Sequence, residues 1–342
     1  GTVDPHCILV TADVESLYTN IPTTDGLSAM ARALDNRSSQ IPATEVLLSL
    51  AELVLTKNAF KFNSQYYTQV SGTAMGTKMA PSYAILYMDQ FEQALLGNSP
   101  LQPLCWWRYI DDIFFIWPHG SDTLERFIRL ANSISPHIKP TFAYGQGVTA
   151  FLDVSVRLGD DGRIVTDLHR KATDTRQYVH FGSCHPTSQK LPIAFSQGLR
   201  VRRICSDIET AIRRCRELKF DLVKRGFPRK AVAKKIDKVL RLDRNALLAT
   251  KAPKPNDCEE VIWVSTFHPD LQVVEEIVGK HWHLISNKDL VAKVYWRVPT
   301  KLKSLLVRSD LRPATRRLAS PLSGGTRPCK HPLCKTCSWV NP

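Results

Sequence analysis

Residues 105–117 read Cys-Trp-Trp-Arg-Tyr-Ile-Asp-Asp-Ile-Phe-Phe-Ile-Trp. Two adjacent carboxylates, Asp111 and Asp112, interrupt a run whose aromatic and β-branched composition otherwise suits two buried strand halves. Burying an unpaired carboxylate costs several kcal/mol, so such a run has few ways to fold. It bends into a hairpin with the acids at its tip. A tight turn that only exposes both acids to water meets the constraint, and so does a cation shared with other acids. A third acid, Asp13, lies near the end of the apolar run at 7–14. If the two strands are neighbours in one sheet, three carboxylates converge. They repel one another unless divalent cations hold them, and hard oxygen donors suit Mg²⁺ or Mn²⁺.

Two such ions about 3.5–4 Å apart activate an attacking hydroxyl and stabilise a leaving pyrophosphate, which is nucleotidyl-transfer chemistry. No His or Cys set suited to zinc hydrolysis accompanies the acids, and no Gly-rich Lys loop of the P-loop type occurs, so a simple NTPase is disfavoured. No apolar run approaches the roughly 18 residues of a membrane span. The scattered cysteines suit a reduced intracellular compartment without disulfides.

Hydrophobic spacing predicts helices over 24–34, 43–55 and 81–95, the last with Pro81 in its first turn. A short hairpin is expected over 60–70 and a Gly, Ser and Thr-rich loop over 71–80. Asp122 and Glu125 form a capping-box pattern that opens a helix to residue 134. A second hairpin is expected over 151–168, turning at Gly159-Asp160-Asp161-Gly162. This order predicts an α+β palm, an antiparallel sheet with helices on one face, over 1–168. A mainly helical basic thumb follows over 169–250, then a small α/β extension over 251–319 that opens with a linker at 251–257. A Cys-containing tail occupies 320–342.

Charge divides along the same line. The net charge of +14 splits into −5 for residues 1–160 and +19 for residues 161–342. Solubility alone does not require this segregation, whereas an acidic site beside a phosphate-gripping module does. Arg200, Arg202, Arg203, Arg213, Arg214, Arg216, Lys224, Arg225, Arg229, Lys230, Lys234 and Lys235 fall in one stretch, the pattern of a nucleic-acid footprint.

Several of these words resemble reverse transcriptases. Asp13-Val14-Glu15-Ser16-Leu17-Tyr18 is similar to their first catalytic motif, and Tyr109-Ile110-Asp111-Asp112 to their aromatic-x-Asp-Asp box. Between them, Met75-Gly76-Thr77-Lys78-Met79-Ala80-Pro81-Ser82 resembles the loop and Pro-started helix that positions template and nucleotide. Ser16-Leu17-Tyr18-Thr19-Asn20-Ile21-Pro22, Phe151-Leu152-Asp153-Val154, the 170–175 and 183–186 segments and Leu199-Arg200-Val201-Arg202-Arg203-Ile204-Cys205 resemble Penelope-like retroelements, relatives of telomerase.

The resemblance implies an RNA-directed DNA polymerase of a retrotransposon, with an RNA template, a DNA primer, target DNA and deoxynucleoside triphosphates as partners and a nuclear site of action. Asp13 and Asp111 would bind two Mg²⁺ or Mn²⁺ ions, Asp112 would support them, and the Val14 carbonyl could add a ligand. Tyr18 would lie under the incoming sugar and exclude a 2′-hydroxyl, while Met75 and Gly76 would approach the nascent base pair. Lys139 would protonate the leaving pyrophosphate. Phe151, Leu152 and Asp153 would grip the primer, with His169, Arg170, Lys171 and the thumb arginines Arg200, Arg202, Arg203, Arg213 and Arg214 on nucleic acid. Cys329, Cys334 and Cys337, near His331, would form an incomplete Zn²⁺ site of the kind that leads into a GIY-YIG endonuclease. The resemblance also places basic fingers upstream of Asp13, so the chain is expected to be a fragment that binds nucleotides poorly on its own. A non-catalytic nucleic-acid-binding scaffold and telomerase-like end synthesis are the rival readings.

Overall fold

The structure is a computed structural model that describes residues 2–63, 65–145, 147–250, 259–284, 290–300 and 306. The chain runs through β1 (Ile8–Val14), α1 (Leu17–Asn20), α2 (Thr23–Asp35), α3 (Thr44–Thr56), β2 (Ala59–Phe62), β3 (Gln65–Thr68) and α4 (Ala80–Asn98). It continues with β4 (Cys105–Tyr109), β5 (Asp112–Trp117), α5 (Ser121–Ile134) and β6 (Pro140–Gly145). Contacts divide it into two units, residues 1–60 with 68–299 and residues 61–67 with 300–342. In the smaller unit the Lys61 ammonium lies over the Tyr66 ring at 5.4 Å.

Strands β4, β5, β1 and β6 form, in that order, an antiparallel sheet. Side chains alternate between its faces as the pleat demands. Val10, Ala12, Val14, Ile113, Phe115 and Trp117 join one core with Tyr83, Met88 and Phe91 of α4 and Leu124 and Phe127 of α5. Aromatic packing is dense there: the Trp117 and Phe127 centroids are 4.8 Å apart and those of Trp106 and Phe115 5.0 Å. Each such ring contributes about 2–3 kcal/mol by burial. The opposite residues, Leu9, Phe114 and Ile116, pack with Phe151, Val154 and Val156. These belong to a meander of β7 (Val148–Phe151), β8 (Val154–Leu158) and β9 (Ile164–Leu168). The fold is therefore α+β, with helices on one face of the antiparallel sheet and a second small sheet on the other.

The hairpin expected to turn at 159–162 forms as β8 and β9, and a third strand, β7, joins it because Leu152 at φ 52° turns the chain directly from Phe151 to Val154. One local expectation is corrected: the capping box of Asp122 and Glu125 is not formed. Gly120 takes the cap position, and the Thr123 hydroxyl donates to the carbonyls of His119 and Gly120, which starts α5 earlier. Asp122 falls in the first turn, where its charge complements the helix dipole.

After β9 come α6 (Thr187–Lys190), α7 (Pro192–Ile204), α8 (Ile208–Lys224), α9 (Arg229–Leu240) and α10 (Arg244–Leu248). Ala194, Val201, Ala211, Cys215, Leu218, Leu222, Val232 and Ile236 enclose their core with Leu168 of β9. Asp207 caps α8 by accepting from the Thr210 N–H at 2.8 Å. Gly226 at φ 85° makes the sharp turn from α8 to α9. Finally β10 (Glu259–Thr266) and β11 (Leu290–Arg297) pair in parallel, with α11 (Val273–His281) in the crossover that parallel strands require. The sequence pattern suggests the first strand and the helix but not β11. No helix among the described residues is long and apolar enough to cross a membrane.

Candidate active site

Antiparallel register places Asp13 directly opposite Asp112. Asp111 sits beside them in the two-residue turn that joins Tyr109 to Asp112, and the Val14 N–H donates to the Asp111 carbonyl at 3.3 Å. Ile110, the other turn residue, has φ 59°. A β-branched residue there costs about 1–3 kcal/mol, a strain that persists only where the surroundings impose it. Arg108 imposes it: its guanidinium donates to both carboxylate oxygens of Glu92 on α4 at 2.7 and 3.0 Å and to the Ile110 carbonyl at 3.3 Å. Trp106 Nε1 donates to the same Glu92 at 2.6 Å. The nearest arginine in sequence is thus spent on α4 rather than on the acids.

Asp13 is exposed, and Asp111 and Asp112 are half-buried. Burial first, then the charges of Asp111 and Asp13, push the Asp112 carboxyl above its ordinary range, and Lys171 partly offsets them. The two neighbouring acids therefore oppose the ionisation of Asp112, as in a site for external cations. Among the described residues no three His, Cys, Asp or Glu side chains stand as a preformed metal cage. Mg²⁺ does not require one, since it commonly takes one or two carboxylates with water and substrate phosphate oxygens. The all-oxygen donor set fits Mg²⁺ or Mn²⁺.

Tyr18 packs against the sheet core, and burial followed by the nearby Asp111 and Tyr109 raises its phenol above the usual value. Its carbonyl accepts from the Thr73 N–H at 2.7 Å, and Gly72 (φ 70°) passes so close that an added Cβ would lie 2.5 Å from that oxygen. Only glycine fits there. Gly76 also has a left-handed backbone (φ 96°) but faces open space, and Met75 is exposed.

Lys139 lies next to β1, where its carbonyl accepts from the Glu15 N–H at 3.5 Å, and its ammonium is engaged with α5. Its ammonium donates to the Asn132 and Ser135 carbonyls at 3.0 and 3.3 Å, closing the C-terminal end of α5, where the dipole attracts a cation. The cation that bears on Asp112 is Lys171.

Several of the residues expected to contact nucleic acid pair with acids of the chain. Arg200 meets Asp153 at 2.6 Å, which ties the Phe151–Leu152 hairpin tip to α7. Arg214 donates twice to Asp167, at 2.7 and 2.9 Å, and Arg213 reaches the same carboxylate at 3.3 Å. Arg170 pairs with Glu217 at 2.8 Å. His169, Arg170 and Arg200 line a small polar cavity of about 40 Å³ with Asp174 and Tyr178. Arg202 has a buried Nε without a partner, and Arg203 is exposed. Cys329, Cys334 and Cys337, with His331 and the 251–257 linker, lie outside the described residues. Cys7, Cys105, Cys184, Cys205 and Cys215 are free thiols.

Residue patterns alone do not single out Arg108, Gly72 or the turn at Gly226. The last had a readable signal: a glycine between two helical patterns, followed by Pro228 at the next helix start.

The family described as Animal helix-turn-helix domain matches residues 177–237, which span α7, α8 and most of α9. No curated protein matches the sequence. Among solved structures, telomerase from Candida albicans with a fragment of telomeric RNA is 10% identical, covers 70% of this chain and 44% of its own, and gives a TM-score of 0.47. The RNA-dependent RNA polymerase of a human picobirnavirus is 11% identical, with 68% and 44% covered and a TM-score of 0.44. That of a sicinivirus is 12% identical, with 69% and 52% covered and a TM-score of 0.42. The chain spans from about a third to about half of the length of the structures it matches.

Proposed function

We propose that this chain carries the catalytic centre of an RNA-directed DNA polymerase of the Penelope-like kind, extending a primer 3′-hydroxyl with deoxynucleotides. The observation that carries the reading is the cross-strand pairing of Asp13 with Asp112, with Asp111 in the adjoining turn. Asp13 and Asp111 would hold two Mg²⁺ or Mn²⁺ ions. Bound there, the ions would lower the pKa of the attacking hydroxyl and neutralise charge on the departing pyrophosphate.

The chain's own residues then have separate tasks. Asp112 keeps the local field negative, and its raised pKa records the cost of that field without a cation. Arg108 and Glu92 fix the turn so that Asp111 does not swing away. Tyr18, held through its carbonyl by Thr73, presents a ring that limits room for a ribose 2′-hydroxyl. Lys171, whose charge is felt at Asp112, would supply positive charge toward the leaving group. RNA template, DNA primer and target DNA would be the partners, in the nucleus.

Primer extension by the protein expressed with its full reading frame, on matched RNA and DNA templates with Mg²⁺ or Mn²⁺, tests this. Extension on RNA is expected, falling at least about 10³-fold for Asp111→Ala. Extension indifferent to Asp111→Ala would defeat the assignment and favour a non-catalytic scaffold.

A further inference from the structure

A helix at the surface of a domain turns a polar side to water. α5 does so: its exposed positions are Ser121, Asp122, Glu125, Arg126, Arg129 and Ser133. α3 does not. Its Thr44, Ala51 and Leu55 are buried, and the helix packs chiefly on α2, which packs on α4. On the far side Val46, Leu50, Leu53 and Val54 are 51, 55, 55 and 43% exposed. Val46, Leu50 and Leu53 recur at i, i+4 and i+7, so they form a straight apolar stripe along the helix. A helix that is apolar on all sides is one that is covered on all sides. The two ends of the stripe carry opposite charge. Glu45 lies in the first turn, and Lys57 caps the last and continues the spacing of the stripe at i+11. Both side chains are exposed, and among the described residues neither makes an ion pair.

We propose that α3 is a self-association surface, on which a second copy of this chain lays the same helix antiparallel about a two-fold axis near Ala51. The charge pattern selects this occupant. Glu45 and Lys57 lie equally far from Ala51 along the helix, so an antiparallel copy sets each Glu45 against the Lys57 of the other chain. The same arrangement opposes the two helix dipoles. A parallel pair would instead bring like charges together at both ends. The two apolar stripes then meet along about 20 Å of helix. Nucleic acid would meet Glu45 and Glu52 here rather than a basic face, and a lipid surface favours flanks of Lys and Arg, whereas this stripe is flanked by Glu45, Ser49 and Glu52. A single helix pair lies at the small end of interface sizes, so association in the micromolar range is expected. The inference does not depend on the polymerase reading.

Sedimentation equilibrium of the full chain from about 1 to about 100 µM tests this. Wild type should pass from one chain to two across that range. Leu50→Glu with Leu53→Glu should weaken association at least about 30-fold, with circular dichroism unchanged because both positions are exposed. Glu45→Lys and Lys57→Glu should each weaken it about 5-fold or more, and the two combined should restore it, because the charges are then exchanged rather than lost. A face that is merely apolar gives no such rescue. Asp111→Ala should associate as wild type does, so loss of polymerase activity and loss of self-association are read separately. A chain that stays single at about 100 µM, a dimer indifferent to Leu50→Glu with Leu53→Glu, or a charge exchange that restores nothing would overturn the proposal. So would protection of α3 from hydrogen exchange that arises only with anionic vesicles, or only when the upstream reading frame is present, since lipid or that segment would then be the occupant.

Discussion

Asp112 on β5 and Asp167 on β9 are both half-buried strand carboxylates, yet their protons are held in opposite ways. Burial, Asp111 and Asp13 raise the pKa of Asp112. Burial pushes Asp167 up as well, but the hydrogen bonds and charge of Arg214, with the Leu168 N–H, more than reverse it and leave its pKa lowered. Arg214 is correspondingly raised, chiefly by its hydrogen bond to Asp167. One carboxylate is satisfied by the chain and fastens α8 to the small sheet. The other is left facing its own kind. Internal pairing marks architecture, and uncompensated like charge marks a place where the missing partner comes from outside.

The largest test of that contrast is catalytic. Asp111→Asn should reduce primer extension by about 10³-fold or more while leaving the melting of the helical region unchanged. Linked loss of both would mean that the acids are structural.

Asp167→Asn should do the reverse, costing about 2 kcal/mol of stability because it strands the Arg214 charge, with no direct effect on the chemical step. Because its folded pKa is lowered, the stabilisation is present above the ordinary Asp value near 3.9 and is lost as pH falls through the folded value. A pH series of urea melts on wild type and Asp167→Asn should therefore converge in acid.

Asp112→Asn has the opposite sign. A raised folded pKa favours the fold below the ordinary Asp value, and the advantage disappears as pH rises through the raised value, so at neutral pH the ionised group is a burden. The amide should stabilise the protein by up to about 1 kcal/mol, or about 2–4 °C in Tm, while impairing extension. A destabilised Asp112→Asn would show that a hidden partner already compensates the acid. Smallest of all, Arg200→Ala should cost under about 1 kcal/mol, because its bridge to Asp153 is solvent-exposed.

Sequence revealed the acidic tip better than the basic helices, for a physical reason. Asp13 and Asp111-Asp112 each stand at the end of an apolar run, so local pattern alone fixes where they emerge and leaves only the strand pairing to be found. The fate of an arginine depends on acids distant in sequence: Arg214 and Asp167 are 47 residues apart, as are Arg200 and Asp153. Composition showed a basic region without showing which of its charges are already used. The partners of Lys139 were likewise hidden, since they are backbone carbonyls at the end of α5, which carry no residue signature. Gly120 displaced the Asp122 capping box because glycine enters the cap conformation at no steric cost.

The central claim reduces to whether Asp13 and Asp111 hold divalent ions together. Mn²⁺ binding followed by electron paramagnetic resonance, in the presence of primer–template and deoxynucleotide, tests it most directly. Two bound ions per chain are predicted for the wild type, with loss of binding in both Asp13→Asn and Asp111→Asn. Equal Mn²⁺ occupancy in wild type and both variants would contradict it.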